Sequence, residues 1–128
     1  MARIVGIGGV FFKSENPAAL YSWYEQHLGI RGKPGEGGLF SWRRSDDPSK
    51  EEQTVWSIFP ANTTYFGQSK SGCMLNYIVD DLDGLLQQLR AEGVAVDERT
   101  EECSFGKFGW ITDPDGNRLE LWEPKPEG

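Results

Sequence analysis

The sequence predicts an α+β domain in which two β-α-β-β-β units share one core. Three observations carry that prediction. The apolar face of a helix near residue 20 recurs later in the chain: Leu20, Tyr21 and Tyr24 match Leu85, Leu86 and Leu89 at a constant offset of 65 residues, which is an internal repeat. The segment Asp113-Pro114-Asp115-Gly116-Asn117 is a turn with a physical basis: Pro114 fixes φ, Asp115 bonds back to the backbone and Gly116 accepts positive φ. The residues after it alternate, Leu119 and Leu121 against Arg118, Glu120 and Trp122, as in a strand with one buried face.

Residues 4–12, β-branched, aromatic and glycine-rich, form the first strand. Asn16-Pro17 then starts a helix, with Asn as N-cap and Pro at the first helical position. Leu20, Tyr21, Tyr24 and Leu28 make its apolar face, and Gly29 ends it. A Gly-Pro loop at 32–38 leads to strands at 39–43 and 54–59, separated by a charged loop at 45–52. The Thr-, Gly- and Ser-rich stretch 61–72 connects the halves. In the second half, residues 73–79 form a strand, and Asp80-Asp81 caps a helix with Leu82, Leu85, Leu86 and Leu89 on its apolar face. Gly93 ends that helix, 94–97 is short and extended, and 108–112 and 118–122 form a hairpin around the Asp-Pro-Asp-Gly turn. The chain thus reads as one domain, 1–128, with modules at about 4–60 and 73–123 and a proline-bearing tail, 124–128, that frays. The helix of each unit covers only one face of its strands. The other face must meet the second unit or enclose a cavity.

Composition excludes several function classes. The net charge is −7 and the Lys and Arg residues are scattered, so no basic patch is available for nucleic acid or an anionic membrane. No apolar run approaches the ~18–20 residues needed to span a bilayer, and the first residues lack an apolar signal core. The expectation is a soluble cytoplasmic protein. Cys73 and Cys103 fit a reducing compartment and read as small strand-packing residues. Gly6-Ile7-Gly8-Gly9 and Gly35-Glu36-Gly37-Gly38 lack the spacing of phosphate loops. No Ser-His-Asp or Cys-His set can be built, because His27 is the sole imidazole and lies near a helix end on the outer side of the sheet.

Three motifs carry a family resemblance: Tyr21-Ser22-Trp23-Tyr24-Glu25-Gln26-His27-Leu28-Gly29-Ile30, Val79-Asp80-Asp81-Leu82-Asp83, and the run from Asp113 to Glu123. In this order they resemble the vicinal-oxygen-chelate superfamily of glyoxalase, bleomycin-resistance and extradiol-dioxygenase proteins. The resemblance implies a U-shaped mixed sheet built from two βαβββ modules, with helices on the outer face and a metal held inside. Mapped residue by residue, the final-strand glutamate of the family falls on Glu120. The other ligand positions fall on Gly9, Met74 and Ser57, which are not a normal set for a hard metal. The expectation is therefore no metal and no other cofactor. Small two-module members of the family pair, which implies a homodimer.

Strand alternation gives the inner face. With positions 9, 57, 74 and 120 inward, Ile7, Phe11, Val55, Phe59, Asn76, Ile78, Arg118 and Trp122 join them, while Val10, Phe12, Trp56 and Tyr77 lie under the helices. The candidate ligand-binding residues are Phe11, Val55, Ser57, Phe59, Met74, Asn76, Arg118 and Trp122, and the candidate catalytic residue is Glu120. These side chains either line an open apolar pocket for a small molecule or collapse into a filled core. Two function classes stay open. One is a metal-independent enzyme with Glu120 as general acid or base, its pKa raised by apolar neighbours and lowered by Arg118. The other is a protein that binds or sequesters a small, partly apolar molecule. A metal-dependent lyase or dioxygenase with relocated ligands is the alternative.

Overall fold

The computed structural model describes residues 2–125. The strands form one mixed sheet, with the elements in the order β1 (Ile4–Ser14), α1 (Pro17–Leu28), β2 (Gly38–Arg43), β3 (Glu51–Pro60), β4 (Cys73–Val79), α2 (Leu82–Ala91), β5 (Ala95–Val96), β6 (Glu101–Cys103), β7 (Gly106–Thr112) and β8 (Arg118–Pro124). Across the sheet they run β2-β3-β1-β4-β8-β7-β5, with β6 paired to β7. The β1–β3 and β4–β8 pairs are parallel and the others antiparallel. The two modules therefore meet along their first strands, β1 against β4.

Local chemistry sets the helix ends. The Asn16 side chain accepts from the Ala19 N–H, and Gly29 closes α1 at φ 72°. Asp81 accepts from the Gly84 N–H in the same way. Both helices lie on one face. Tyr21, Trp56 and Ile58, flanked by Phe12 and Tyr24, form the core under α1. Val79, Leu82, Leu85, Leu86 and Leu121 form the core under α2. The alternation that places Phe12, Trp56 and Tyr77 under the helices is thus observed.

Several details differ from the sequence reading. The β1–β4 register shifts between Ile7 and Gly9, which makes Gly8 an extra residue. This bulge places Ile7 opposite Tyr77, on the helix side, rather than beside Phe11. Leu28, expected on the apolar face of α1, is exposed. Cys73 and Cys103 are exposed and free rather than packed. The strand expected at 108–112 begins earlier, at Gly106, and pairs with β8 as far as Pro124. Glu123 and Pro124 are therefore held in the sheet, and the expected fraying of 126–128 lies outside the described residues. The short β6 had no sequence signal. In the first module only an isolated Lys33–Gly37 bridge stands between α1 and β2.

Candidate functional site

Sheet register brings the site together. Val55, Gly9, Asn76, Glu120 and Trp110 follow one another across β3, β1, β4, β8 and β7, all on the face without helices. Glu120 and Asn76 are each only 2% exposed. Three donors converge on the carboxylate. The Asn76 Nδ2 donates to Oε1 at 2.6 Å, and the Trp110 Nε1 donates to Oε2 at 2.9 Å. The Tyr65 hydroxyl, from the connection between the modules, also donates to Oε2.

Burial pushes the Glu120 carboxyl above its ordinary range. Its three hydrogen-bond donors and Arg118 oppose that shift without cancelling it. The Tyr65 hydroxyl is pushed up as well, by burial first and then by the neighbouring Glu120 charge. Two buried polar atoms here lack a partner, the Asn76 Oδ1 and the Arg118 Nε. The Asn76 Oδ1 faces Gly8, where a Cβ would come within 2.4 Å of it. Glycine at the bulge thus makes room for the Asn76 amide.

The named candidates divide into groups. Phe11 and Met74 are buried with Phe66, and Val55 and Phe59 pack against them. Phe66 is 0% exposed and comes from the connection, so this half of the concave face is filled rather than open. Ser57 on β3 pairs with Phe11, three strands away from the strand of Glu120. Trp122 stacks on Phe108 and donates its indole N–H to the Phe105 carbonyl. Arg118 lies over the Trp110 ring at 5.3 Å and bonds Asp97 at 2.7 Å. The open space is on that side. A cavity of about 250 Å³ is lined by Thr64, Tyr65, Trp110 and Arg118 together with Asp97, Arg99 and Glu101. Its acidic and basic groups pair with each other, Arg118 with Asp97 and Arg99 with Glu101, so the walls carry no net charge. Tyr65 separates this cavity from Glu120.

A divalent ion does not fit these residues. The positions at which the resemblance led to an expectation of ligands hold Gly9, Ser57, Met74 and Glu120, and the Glu120 oxygens already accept from Tyr65, Asn76 and Trp110. Among the described residues no group of three or more His, Cys, Asp or Glu side chains comes together. Such ions need three or more O, N or S donors.

Sequence reasoning missed Tyr65, Phe66, Trp110 and Asp97 as site residues. Trp110 was accessible to it: a turn closed between Thr112 and Arg118 puts Trp110 opposite Glu120. Tyr65 and Phe66 carry no such signal, because a connection without periodicity does not say where its side chains land.

The model of the Glyoxalase/Bleomycin resistance protein/Dioxygenase superfamily matches residues 7–121. No curated protein matches the chain in sequence. Among solved structures, a single-residue variant of the Streptomyces coelicolor methylmalonyl-CoA epimerase in complex with 2-nitronate-propionyl-CoA superposes with a TM-score of 0.68. That match has 13% identity and covers 97% of this chain and 100% of the other. Methylmalonyl-CoA epimerase from Mycobacterium tuberculosis gives 0.60 at 21% identity, over 96% and 90% of the two chains. The 2,2',3-trihydroxybiphenyl 1,2-dioxygenase of Sphingomonas wittichii gives 0.63 at 16% identity over 98% of this chain, which spans only 43% of that protein. At these identities the likeness is one of fold.

Proposed function

The chain belongs to the Glyoxalase/Bleomycin resistance protein/Dioxygenase superfamily, and from that premise we propose that it binds a small, partly apolar molecule on the concave face of its sheet, beside Glu120 and without a metal. One observation carries this reading. A buried carboxylate stands at the centre of that face, held by three donors, and a cavity of about 250 Å³ lies on the far side of Tyr65. A group whose role is only to fold the chain gains little from burying a carboxylate, since desolvation costs several kcal/mol.

Binding is favoured over catalysis because the Glu120 oxygens are engaged by the protein itself. A general base must reach the proton it removes, and Glu120 is 2% exposed. The upward pull on its pKa supports a second reading as an acid–base enzyme, which would need Tyr65 to move aside. A small-molecule panel scored by native mass spectrometry and thermal shift tests both readings. A ligand recovered unchanged supports binding, and a converted one supports the enzyme. If nothing binds, or if Glu120→Gln leaves the affinity of every ligand unaltered, the site is misassigned.

We also propose a homodimer in the cytoplasm. Leu39 and Phe40 on the outermost strand β2 are 59% and 48% exposed, an apolar edge suited to a second copy. The two free, exposed cysteines suit a reducing compartment. A monomer mass by light scattering across a wide concentration range would refute the pairing.

A further inference from the structure

The side chain that covers Glu120 comes from the connection between the modules, which is tied to β1 at its two ends, by the Ala61 N–H to the Ser14 carbonyl and by the Lys13 N–H to the Gly72 carbonyl. Residues 62–71 lie between β3 and β4. Among the described residues, the hydrogen bonds of this segment stay within 60–73, except for that of the Tyr65 hydroxyl to Glu120. Phe66 is the anchor of the segment, fully buried against Phe11 and Met74. Tyr65 is different: it remains 39% exposed although it reaches the centre of the concave face.

The Tyr65 ring occupies a slot of defined shape. It stacks on Phe59, with ring centroids 5.5 Å apart and planes 9° from parallel, and meets Phe11 edge-on at 6.4 Å. Glu120 closes the inner end of the slot, with an Oε2 that also accepts from Trp110. The other side of the ring borders the cavity lined by Thr64, Trp110 and Arg118. Two aromatic walls select a flat ring, and a buried carboxylate at the end selects a hydrogen-bond donor. A side-chain rotation that carries Tyr65 outward would merge slot and cavity while Phe66 keeps the segment in place.

We propose that Tyr65 is an internal stand-in for the ligand, and that the slot between Phe59, Phe11 and Glu120 takes a flat aromatic molecule bearing a hydroxyl group, which displaces the Tyr65 ring. This rests on the small-molecule reading of the same site and adds the ligand class and the route of entry. The ligand hydroxyl replaces the phenol of Tyr65 on Oε2, and the rest of the molecule extends into the space beside Trp110 and Arg118.

The test uses para-cresol, which reproduces the tyrosine side chain, and toluene, which lacks the hydroxyl. Each is titrated into the full-length protein with isotope-labelled tyrosine, followed by NMR, alongside Tyr65→Phe and a panel of non-aromatic polar molecules. Para-cresol is expected to bind saturably, to shift the Tyr65 ring signals to solvent-exposed positions, and to bind at least tenfold more tightly than toluene. In Tyr65→Phe the internal competitor loses its hydroxyl but keeps its ring, so para-cresol should bind about tenfold more tightly than in the parent. Absence of para-cresol binding to both proteins overturns the proposal, as does binding that leaves Tyr65 unmoved. If a non-aromatic molecule then binds and perturbs Trp110, the small-molecule reading survives alone. If nothing binds, both fall.

Discussion

Replacing Glu120 by Gln sets two opposed energies against each other. The carboxylate accepts from Tyr65 and Trp110 on Oε2 and from Asn76 on Oε1. In the Gln variant the amide oxygen stays with the first two donors, so the amide nitrogen faces Asn76. A half-turn of the Asn76 amide resolves that conflict, because its Oδ1 is free to accept. Three hydrogen bonds survive without their charge. Charge-assisted bonds contribute ~1.5–3 kcal/mol and neutral ones ~0.5–1.5, so the loss is about 1 kcal/mol each and about 3 in all. Against it stands relief from burying an anion, several kcal/mol. The variant should unfold within about 2 kcal/mol of the parent at pH 7.

The pH dependence separates the two effects. The native Glu120 carboxyl lies above its ordinary 4.5, so the folded state holds this proton more tightly than the unfolded one. That contribution to stability is complete below about pH 4.5 and is lost as pH rises through the native pKa. Between those two limits the loss is about 1.36 kcal/mol for each pH unit. Gln does not titrate. Urea unfolding of both proteins from pH 4 to 8 should therefore show the stability of the variant rising relative to the parent as pH increases. A constant difference would mean that the three donors balance desolvation, and one of opposite slope that they outweigh it; either result would refute the reasoning.

Three further outcomes follow from the same geometry. Gly8→Ala places a Cβ 2.4 Å from the Asn76 Oδ1 and 2.8 Å from Ile78; it should cost ~1–3 kcal/mol in urea unfolding, and an unchanged midpoint would show that the bulge leaves more room than described. Asn76→Asp sets a second carboxylate where a donor now lies 2.6 Å from Glu120. It should cost ~3–5 kcal/mol at pH 7 and less near pH 5, and a cost independent of pH would contradict direct contact. Added Zn²⁺, Mn²⁺ or Ni²⁺ should leave the melting temperature unchanged, since a site absent from the native state adds no stability. A rise of several degrees that disappears in Glu120→Ala would establish a metal site there.

The architecture could be read without coordinates because it rests on local rules. Asn16 and Asp81 cap helices by contacts within three residues, and the alternation of Leu119, Glu120 and Leu121 decides which side chain turns from the core. Glu120 was singled out by that alternation together with the family resemblance, and its row-mate Asn76 followed from the position that the resemblance sets inward at 74. The outcome at the site depends on pairings that span long stretches of chain. Tyr65 meets Glu120 across 55 residues and Arg118 meets Asp97 across 21. The bulge at Gly8, visible only in the β1–β4 register, turns Ile7 away and admits the Asn76 amide. Whether the concave face is open or filled turned on where the aperiodic segment 61–72 lays Phe66 and Tyr65. Periodicity assigns a side chain to a face, but only packing against the rest of the molecule determines what occupies the space above that face.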